Sequence, residues 1–188
     1  MSPYAPLVGA STVRVDLSDA GVLAVTVVGG APGGNDAAEI NVLTQSVMRD
    51  LVRTFRAAAA DDCVRVLVLR SGDPDFFLAH FDVAAIGTHV GGPEPQRNTG
   101  PTKHGFHRMC NLIREMPKPC IAEIAGRVGG GGSELCMNFD MRFGVYDKTK
   151  ICQMEVPLGI IPGGSGTVTL PRLVGVRRAL KSSSAATT

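Results

Sequence analysis

Four consecutive glycines, Gly129 to Gly132, run directly into Ser133 and Glu134, and this stretch is the part of the chain best suited to chemistry. Glycine has no β-carbon, so its backbone can approach a ligand closely and adopt conformations that other residues resist. The segment that follows is compatible with a helix, whose first turn presents unpaired N–H groups at a positive dipole end. The pattern predicts a site that receives an oxygen carrying negative charge, with the Glu134 carboxylate beside it.

Other glycine-rich motifs do not fit this run. No lysine follows it, as a phosphate-binding P-loop requires, and in the G-x-G-x-x-G register the third glycine falls on Glu134 or Leu135. The G-x-S-x-G pattern of a serine nucleophile is missed at Ser133 and at Ser165, because another residue stands at its last glycine. Taken alone, the run is more often a turn or a tight helix–strand contact than an oxyanion site.

The composition is that of a globular protein. The chain has 188 residues, of which 44% are hydrophobic and 19% charged, enough for one domain with a substantial core. A net charge of +2 is too balanced for a nucleic-acid surface. We see neither a signal peptide nor an apolar run that would span a bilayer. We therefore expect a cytoplasmic, intracellular protein with no nucleic-acid partner and no membrane partner.

Cysteine and histidine do not form a ligand set. The five cysteines are scattered, odd in number and never in CxxC spacing, which predicts reduced and mostly buried thiols. His104 and His107 could share one face of a helix, but such a pair usually decorates a surface. We expect no bound metal.

Strand–strand–helix units with apolar strands predict α/β architecture. Strands are expected at 13–17, 22–28, 64–69, 120–125, 141–145 and 151–153, and the strand at 64–69 is typical of a sheet covered on both sides. Helices are expected at 40–59, at 104–115, from Ser133 onward and within 162–173, with loops at 29–38 and 87–102. Residues 1–180 are expected to form one core domain, and 181–188 a disordered polar tail.

Three ordered blocks of this sequence resemble the enoyl-CoA hydratase/isomerase family, the crotonases. Residues 64–83 resemble the family's strand followed by F-x-A-G-A-D, and residues 118–140 resemble its signature KP-x-IA-x-x-x-G-x-x-x-GGG-x-EL. Residues 153–180 resemble its Q-P-E-x-x-x-G-x-x-P-G-x-G block, which ends in LPRLVG. The likeness covers roughly residues 12–180 and implies a crotonase-like spiral of ββα units that acts on coenzyme A thioesters.

The resemblance implies a role for individual residues. The backbone N–H groups of Phe81 and Gly131 would hold the thioester oxygen as it becomes enolate-like, and Glu134 and Glu155 would grip the water that adds to a trans-2-enoyl thioester. Two such carboxylates can differ in protonation, because burial and neighbouring negative charge raise one pKa. The positions expected to bind substrate are Ala79, His80, Asp82, Val83, Gly130, Gly132, Pro162 and Gly163.

The chain departs from the family pattern in four places. His80 stands at a family glycine and Phe81 at a small residue, so we expect a restricted backbone and a narrower acyl pocket, although both residues keep their N–H. Glu134 and Glu155 are 21 positions apart, one more than expected, and the extra residue is expected in the 144–148 turn. Met154 replaces the proline of Q-P-E.

The fourth departure concerns the C-terminus and the partners. Relatives continue past this point into a helical segment that covers the active site, contributes to coenzyme A binding and supports trimer contacts, so we expect a core domain lacking most of that segment. Two interpretations stay open: a chain cut short, in which exposed apolar surface should promote association or instability, or a minimal crotonase core. The resemblance implies an acyl-CoA substrate, no separate cofactor, and a homotrimer or hexamer.

Three functions stay open at this point. The first is an enoyl-CoA hydratase, which the retention of Glu134 favours; the second is an enoyl-CoA isomerase in which Glu155 moves the proton. The third is a catalytically silent acyl-CoA-binding or assembly protein, motivated by His80, Phe81 and the short C-terminus. Other family reactions also remain, since one oxyanion site serves them all. Asp82 and Asp140 match family aspartates and are expected to be structural.

Overall fold

Two β-sheets are built from strands that alternate between them along the chain. The computed structural model describes residues 12–29, 40–82 and 105–184. The strands are β1 Val13–Leu17, β2 Val22–Val27, β3 Val66–Ser71, β4 Phe76–Leu78, β5 Cys120–Ile124, β6 Arg127–Gly129, β7 Met141–Gly144 and β8 Lys150–Cys152. Within these residues the larger sheet has the order β1-β2-β3-β5-β7 and the smaller sheet the order β4-β6-β8. Neighbouring strands are parallel, except that β1 and β2 are antiparallel.

The first two strands, β1 and β2, both belong to the larger sheet and precede a helix, and from β3 onward each repeat gives one strand to each sheet and then a helix. The helices are α1 Gln45–Ala60, α2 Gly105–Arg114, α3 Gly130–Cys136, α4 Gly166–Val174 and α5 Val176–Ser184, with a 3₁₀ turn at Val156–Leu158. The pair β3 and β4 precedes α2, β5 and β6 precede α3, and β7 and β8 precede α4. This order confirms the predicted α/β architecture of ββα units.

The core lies between the larger sheet and the helices α1 and α2. Helix α1 buries Val47, Leu51 and Phe55, which recur at helical spacing, as the sequence predicted. In β3, Leu67 and Leu69 are fully buried, whereas the residues between them are half-buried. The prediction that this sheet is covered on both sides is therefore wrong for the described residues, where burial alternates with the strand period and only one face is fully covered.

Polar contacts at its two ends fix the position of α1. The helix begins at Gln45 and not at residue 40, because the Thr44 hydroxyl accepts a hydrogen bond from the Val47 N–H at 3.2 Å and caps the first turn. At the other end the Lys118 ammonium donates to the Ala58 carbonyl at 2.6 Å and to a second carbonyl three residues further on. A cation there satisfies carbonyls that have no partner inside the helix.

Several elements differ from their predicted bounds. The strands β4 and β6 were not predicted, since three residues each are too short for a periodic pattern. Helix α3 includes three of the glycines, and helix α5 includes residues 181–184, which the sequence assigned to a polar tail. Residues 1–11, 30–39, 83–104 (which include the whole predicted loop at 87–102) and 185–188 lie outside the described part of the chain.

Two expected properties of the chain can be compared with the structure. No helix within the described ranges is long and apolar enough to cross a membrane. The five cysteines, all in described positions, are free thiols, and Cys110, Cys120 and Cys136 are buried.

Candidate active site

Three chain segments meet at one edge of the smaller sheet. Strands β4, β6 and β8 are parallel, so their carboxyl ends lie at the same edge. The residues that follow these ends are 79–82, 130–134 and 153–155. In open α/β sheets this edge is where ligands bind. The fold therefore gathers the segments that carry the predicted site residues.

Backbone pairing orients the segment that follows β4. Leu43 N donates to His80 O at 2.9 Å, and Asp82 N donates to Leu43 O at 3.2 Å, in a parallel bridge between Leu43 and Phe81. In a parallel bridge, one residue bonds to the two neighbours of its partner and not to the partner itself. Here Leu43 bonds to His80 and Asp82, so the N–H of Phe81 between them faces away from Leu43. On that side of β4 lies β6, which is continuous with the glycine helix. The Phe81 N–H is thus directed away from Leu43 and toward the glycines.

Gly131 lies against Phe81. A β-carbon placed on Gly131 would be 2.9 Å from Phe81 Cβ and 3.5 Å from Phe81 N. Helix α3 begins at Gly130, whose φ of 43° allows the chain to turn out of β6, so the glycines form the first helical turn and not a loop before it. As the second residue of this helix, Gly131 has an N–H with no acceptor in the helix itself. Two main-chain amides, those of Phe81 and Gly131, therefore belong to adjoining segments.

The two side chains that depart from the family pattern have local partners. The Phe81 ring packs edge-to-face on Phe106 of α2, with ring centroids 6.1 Å apart and planes at 78°, and is partly buried against the core. The His80 ring places Nδ1 2.7 Å from the Phe81 carbonyl oxygen and is half-buried. The Phe81 ring is thus packed on α2, and the His80 ring is hydrogen-bonded to the adjacent backbone.

Glu134 lies on α3 and is held by main-chain amides from a distant part of the sequence. Its carboxylate is 4% exposed and accepts the Gly166 N–H at 2.7 Å. Burial raises the pKa of Glu134, whereas hydrogen bonds from the N–H groups of Gly166, Gly164 and Ser165 lower it. Successive amides of this kind form a cradle for an anion. The arrangement keeps a buried carboxyl group able to ionise.

Glu155 follows β8 and is held by a neighbouring side chain. It is 7% exposed, and a β-carbon on Gly130 would lie 3.1 Å from its Oε1. The Gln153 amide nitrogen faces this carboxylate and donates at 3.0 and 3.1 Å, while its oxygen accepts from the Ser133 hydroxyl at 3.1 Å. This amide orientation satisfies both neighbours, whereas the reverse would oppose oxygen to oxygen. Gln153 thereby links Glu155 to the glycine helix.

The two carboxyl groups are both buried, and the charge of one affects the other. Burial is the main cause that raises the pKa of Glu155, and the charge of Glu134 raises it further. Gly166 lies beside Glu134 and Gln153, since a β-carbon there would be 2.9 Å from Glu134 Oε1 and 3.4 Å from the Gln153 amide. Burial and the Glu134 charge also raise the pKa of Cys110, on α2, to about 12, so this thiol is neutral. Proton affinity is thus raised at two neighbouring acids.

Ser165 carries backbone strain inside the segment that holds Glu134. Its φ is 125° and its ψ −4°, a region that L-residues rarely adopt. Its hydroxyl oxygen is buried and has no hydrogen-bond partner among the described residues. Strained residues persist where the surrounding structure over-determines them, and they cluster at functional sites.

The remaining predicted substrate-binding positions are spread around this edge. Ala79 donates its N–H to Asn41 O at 2.8 Å, and a β-carbon on Gly132 would collide with the Leu78 carbonyl, which gives that glycine a packing contact. Pro162 is buried and Gly163 exposed, immediately before the amides that hold Glu134. Val83 lies outside the described residues. The expected structural role of Asp140 is confirmed, because its carboxylate accepts the Cys120 N–H at 2.7 Å.

Sequence reasoning missed three components of this network. They are Gln153, the amides of residues 164–166, and the residues of α2 that pack on that segment. Gln153 stands in the Q-P-E-like block, so its position next to Glu155 was a signal. In the part of the chain that the structure describes, no three His, Cys, Asp or Glu residues are grouped to hold a metal ion.

Comparison with known proteins decides the family. The profile of the enoyl-CoA hydratase/isomerase family matches residues 35–187. The chain belongs to this family. Among curated members, it is 35% identical over 155 residues to a fatty acid oxidation complex subunit alpha of Aliivibrio fischeri, covering 75% of this chain and 22% of that protein. It is 33% identical over 144 residues to the mitochondrial methylglutaconyl-CoA hydratase of Mus musculus, covering 77% and 44%.

Solved structures of the family have the same fold. A Streptomyces avermitilis protein assigned as an enoyl-CoA hydratase superposes with a TM-score of 0.76 at 35% identity, over 93% of this chain and 60% of that one. The enoyl-CoA hydratase of Bacillus anthracis superposes with a TM-score of 0.74 at 26% identity, over 92% and 62%. The chain therefore spans about 60% of the length of these family structures, and less than half of the two curated relatives.

Proposed function

We propose that the protein hydrates a trans-2-enoyl-CoA thioester. The observation that carries this proposal is the pair of buried glutamates beside the first turn of the glycine helix: Glu134 accepts the Gly166 N–H, Glu155 accepts from Gln153, and the charge of Glu134 raises the pKa of Glu155. Addition of water to a double bond needs one group that takes a proton and one that gives a proton, and paired carboxyl groups supply both. The names of the relatives agree, since one is a methylglutaconyl-CoA hydratase.

The surroundings of the two acids suggest how their roles divide. Burial raises the pKa of Glu134, while the Gly166 N–H and the neighbouring main-chain N–H groups of Gly164 and Ser165 favour its ionised form, so it would act as the base that takes a proton from water. Glu155 is buried beside the Glu134 charge, which favours its protonated form, so it supplies the proton to Cα. The water oxygen bonds to Cβ as the Cα–Cβ double bond is consumed. Proton exchange with solvent then restores both acids.

The amides of Phe81 and Gly131 would hold the thioester oxygen during this reaction. Negative charge develops on that oxygen when hydroxide adds at Cβ, and neutral N–H groups fixed by the fold stabilise it without reorganisation. The direction of the Phe81 N–H, away from Leu43 and toward the glycine helix, supports this role, as does the contact between Gly131 and Phe81. Coenzyme A enters as part of the substrate, and no separate cofactor takes part.

The substrate would be an acyl-CoA that binds along the edge of the smaller sheet formed by the carboxyl ends of β4, β6 and β8. Ala79, His80 and Asp82 lie next to Phe81 in the chain, and Gly130 precedes Gly131, so they would border the thioester. Pro162 and Gly163, which precede the amides beside Glu134, would lie further along the same edge. The partly buried Phe81 ring would narrow the space for the acyl chain, as expected from its size.

Self-association is part of the proposal. Large apolar side chains are exposed along the C-terminal third of the chain, among them Ile161 at 75%, Val176 at 62% and Leu180 at 63%. Apolar surface of this extent marks an interaction site. We expect a homotrimer or hexamer, and the mass from light scattering coupled to size exclusion tests this.

Hydration of crotonyl-CoA tests the proposed reaction, followed as loss of the absorbance of the conjugated thioester. Glu134→Gln and Glu155→Gln should each lower kcat by about 100- to 10,000-fold, because each removes a proton-transfer group. Glu115→Gln, at an exposed position after α2, is the matched control and should retain activity.

The alternatives predict other results. An isomerase in which Glu155 alone moves the proton would tolerate Glu134→Gln and would convert a 3-enoyl-CoA to its 2-enoyl isomer. A silent acyl-CoA-binding protein would bind the thioester without turnover in any variant. The three amides that hold Glu134 favour the hydratase, since they are arranged around a group that the isomerase would not need.

A further inference from the structure

The first turn of α2 contacts the segment whose amides hold Glu134. His107 Nε2 lies 3.0 Å from the Gly163 carbonyl oxygen. A β-carbon on Gly164 would collide both with Glu134 Oε2 and with the Phe106 ring. The segment 163–166 is therefore enclosed between two residues of α2 on one side and the Glu134 carboxylate on the other.

We propose that His107 is a positioning residue for Glu134, acting through the Gly163 carbonyl. This inference rests on the proposed hydratase function, in which Glu134 touches the reacting water. The hydrogen bond from His107 fixes the peptide that leads into the amides of residues 164–166, and the Gly166 N–H then meets Glu134 Oε1 at 2.7 Å. Both hydrogen bonds that connect His107 to Glu134 through residues 163–166 are present in this structure.

The chemistry of the contact defines which replacements keep it. A carbonyl oxygen only accepts hydrogen bonds, so His107 Nε2 must carry a hydrogen. Both the neutral Nε2–H tautomer and the imidazolium have that hydrogen. Glutamine has an amide donor at a similar reach, whereas phenylalanine keeps the ring that meets Phe106 at 6.1 Å and has no donor.

The strained backbone explains why this segment needs an external contact. Ser165 has a φ of 125°, and such a conformation persists only when neighbours hold it. The Gly163 carbonyl is two residues away from Ser165, within the same turn. When the His107 donor is lost, the segment can relax toward ordinary backbone angles and its amides move away from the carboxylate.

Loss of these amides changes the proton affinity of Glu134 in a known direction. Hydrogen bonds to a carboxylate favour its charged form, so weaker bonds raise the pKa of Glu134. In the described residues, the titratable groups coupled to Glu134 are Glu155, after β8, and the neutral thiol of Cys110, on α2. The acidic limb of the activity profile should therefore move to higher pH.

The test compares His107→Phe with His107→Gln, and uses Arg108→Ala, an exposed neighbour on the same turn, as the control. We expect His107→Phe to lower kcat for crotonyl-CoA hydration by about tenfold, the effect of one lost hydrogen bond of ordinary strength. KM should stay within about twofold, since the contact does not touch coenzyme A. His107→Gln should restore both kcat and the acidic limb, and Arg108→Ala should match the wild type.

A second readout does not depend on turnover. Titration of the ¹³C-labelled glutamate carboxyl groups, with Glu134 assigned by its absence in Glu134→Gln, should show a higher pKa for Glu134 in His107→Phe than in the wild type. Inactivity of the wild type would refute the proposed function and leave this readout to decide the inference. An active His107→Phe with an unshifted acidic limb and an unshifted Glu134 titration would overturn the inference. If His107→Phe does not fold, His107→Ala takes its place beside His107→Gln.

Discussion

Replacement of Gly131 by alanine should separate the two main-chain amides while leaving the fold intact. The new β-carbon would lie 2.9 Å from Phe81 Cβ, and ordinary contacts begin at 3.4 Å, so the two segments must part by about 0.5 Å. Phe81 Cβ is attached directly to the backbone and cannot rotate away. The displacement therefore reaches the Phe81 and Gly131 amides themselves.

Gly131 is the member of the glycine run at which this experiment is clean. Gly130 has a φ of 43°, where alanine would be strained, and a β-carbon on Gly132 would collide with the Leu78 carbonyl. Gly131 has neither problem. Alanine at a helical position gains about 1 kcal/mol of stability over glycine, which offsets part of the about 1–3 kcal/mol that overpacking costs. The net change in the free energy of unfolding should be small.

The effect on catalysis should be much larger than the effect on stability. Donors in an oxyanion site act at about 2.7–3.1 Å, so a shift of about 0.5 Å removes most of the contribution of one donor. Loss of one donor raises the barrier by about 3 kcal/mol, which lowers kcat by about 100- to 1,000-fold. We expect this fall for crotonyl-CoA hydration by Gly131→Ala, with a KM close to that of the wild type.

Two further variants decide whether the cause is the predicted contact. Gly105→Ala, where a new β-carbon meets nothing within 4 Å, is the control and should retain full activity. Phe81→Gly removes the β-carbon that collides with the new methyl group and keeps the N–H. The double variant should therefore be more active than the product of the two single effects predicts. A folded Gly131→Ala with kcat within threefold of Gly105→Ala would refute the role of these amides.

Glu155, Ser165 and Lys118 each allow a prediction about stability. Burial raises the pKa of Glu155, so the stability contributed by its protonated form is present at acid pH and is lost as pH rises through the folded-state pKa. Glu155→Gln, which cannot ionise, should therefore raise the melting temperature more at pH 8 than at pH 4. Ser165→Gly should raise the free energy of unfolding in urea by about 1 kcal/mol because it relieves a φ of 125°, whereas Ser165→Ala should not, and equal gains would contradict the assignment of strain. Lys118→Met should lower the free energy of unfolding by about 1–3 kcal/mol, because the ammonium group no longer donates to the carbonyl oxygens of Ala58 and Asp61, and kcat should stay unchanged. An unaltered denaturation midpoint would show that this helix cap contributes nothing to stability.

The sequence predicted the fold well where its signal was periodic. The apolar spacing of α1 and the alternation in the larger sheet gave the correct elements, and the ordered blocks gave the ββα architecture. The start of α1 was placed five residues early, because Ile40 and Leu43 continue the helical spacing of apolar residues, whereas Asn41 and Leu43 pair with the chain after β4. Strands of three residues, such as β4 and β6, have no period that could be recognised.

Side chains of the site were easier to predict than their environment. Glu134 and Glu155 were marked by their motifs, and the structure buries both, with the charge of Glu134 acting on Glu155. The amide donors of Glu134 come from residues 164–166, about thirty positions later, and a serine at 165 gives no sign that its backbone adopts a positive φ. The contact of His107 with the Gly163 carbonyl depends on how α2 packs, which no local pattern determines.

These failures have one physical origin. In this site main-chain N–H groups contact the Glu134 carboxylate and would hold the thioester oxygen, and every residue except proline has such a group, so residue type cannot mark them. Glycine marks only the places where another chain segment approaches, as Gly131 does at Phe81 and Gly164 does at Glu134. The function of such a site depends on backbone positions more than on side-chain identity. Substitutions that move the backbone by a fraction of an ångström, such as Gly131→Ala, are therefore sharper tests than the removal of any neutral side chain that borders the site.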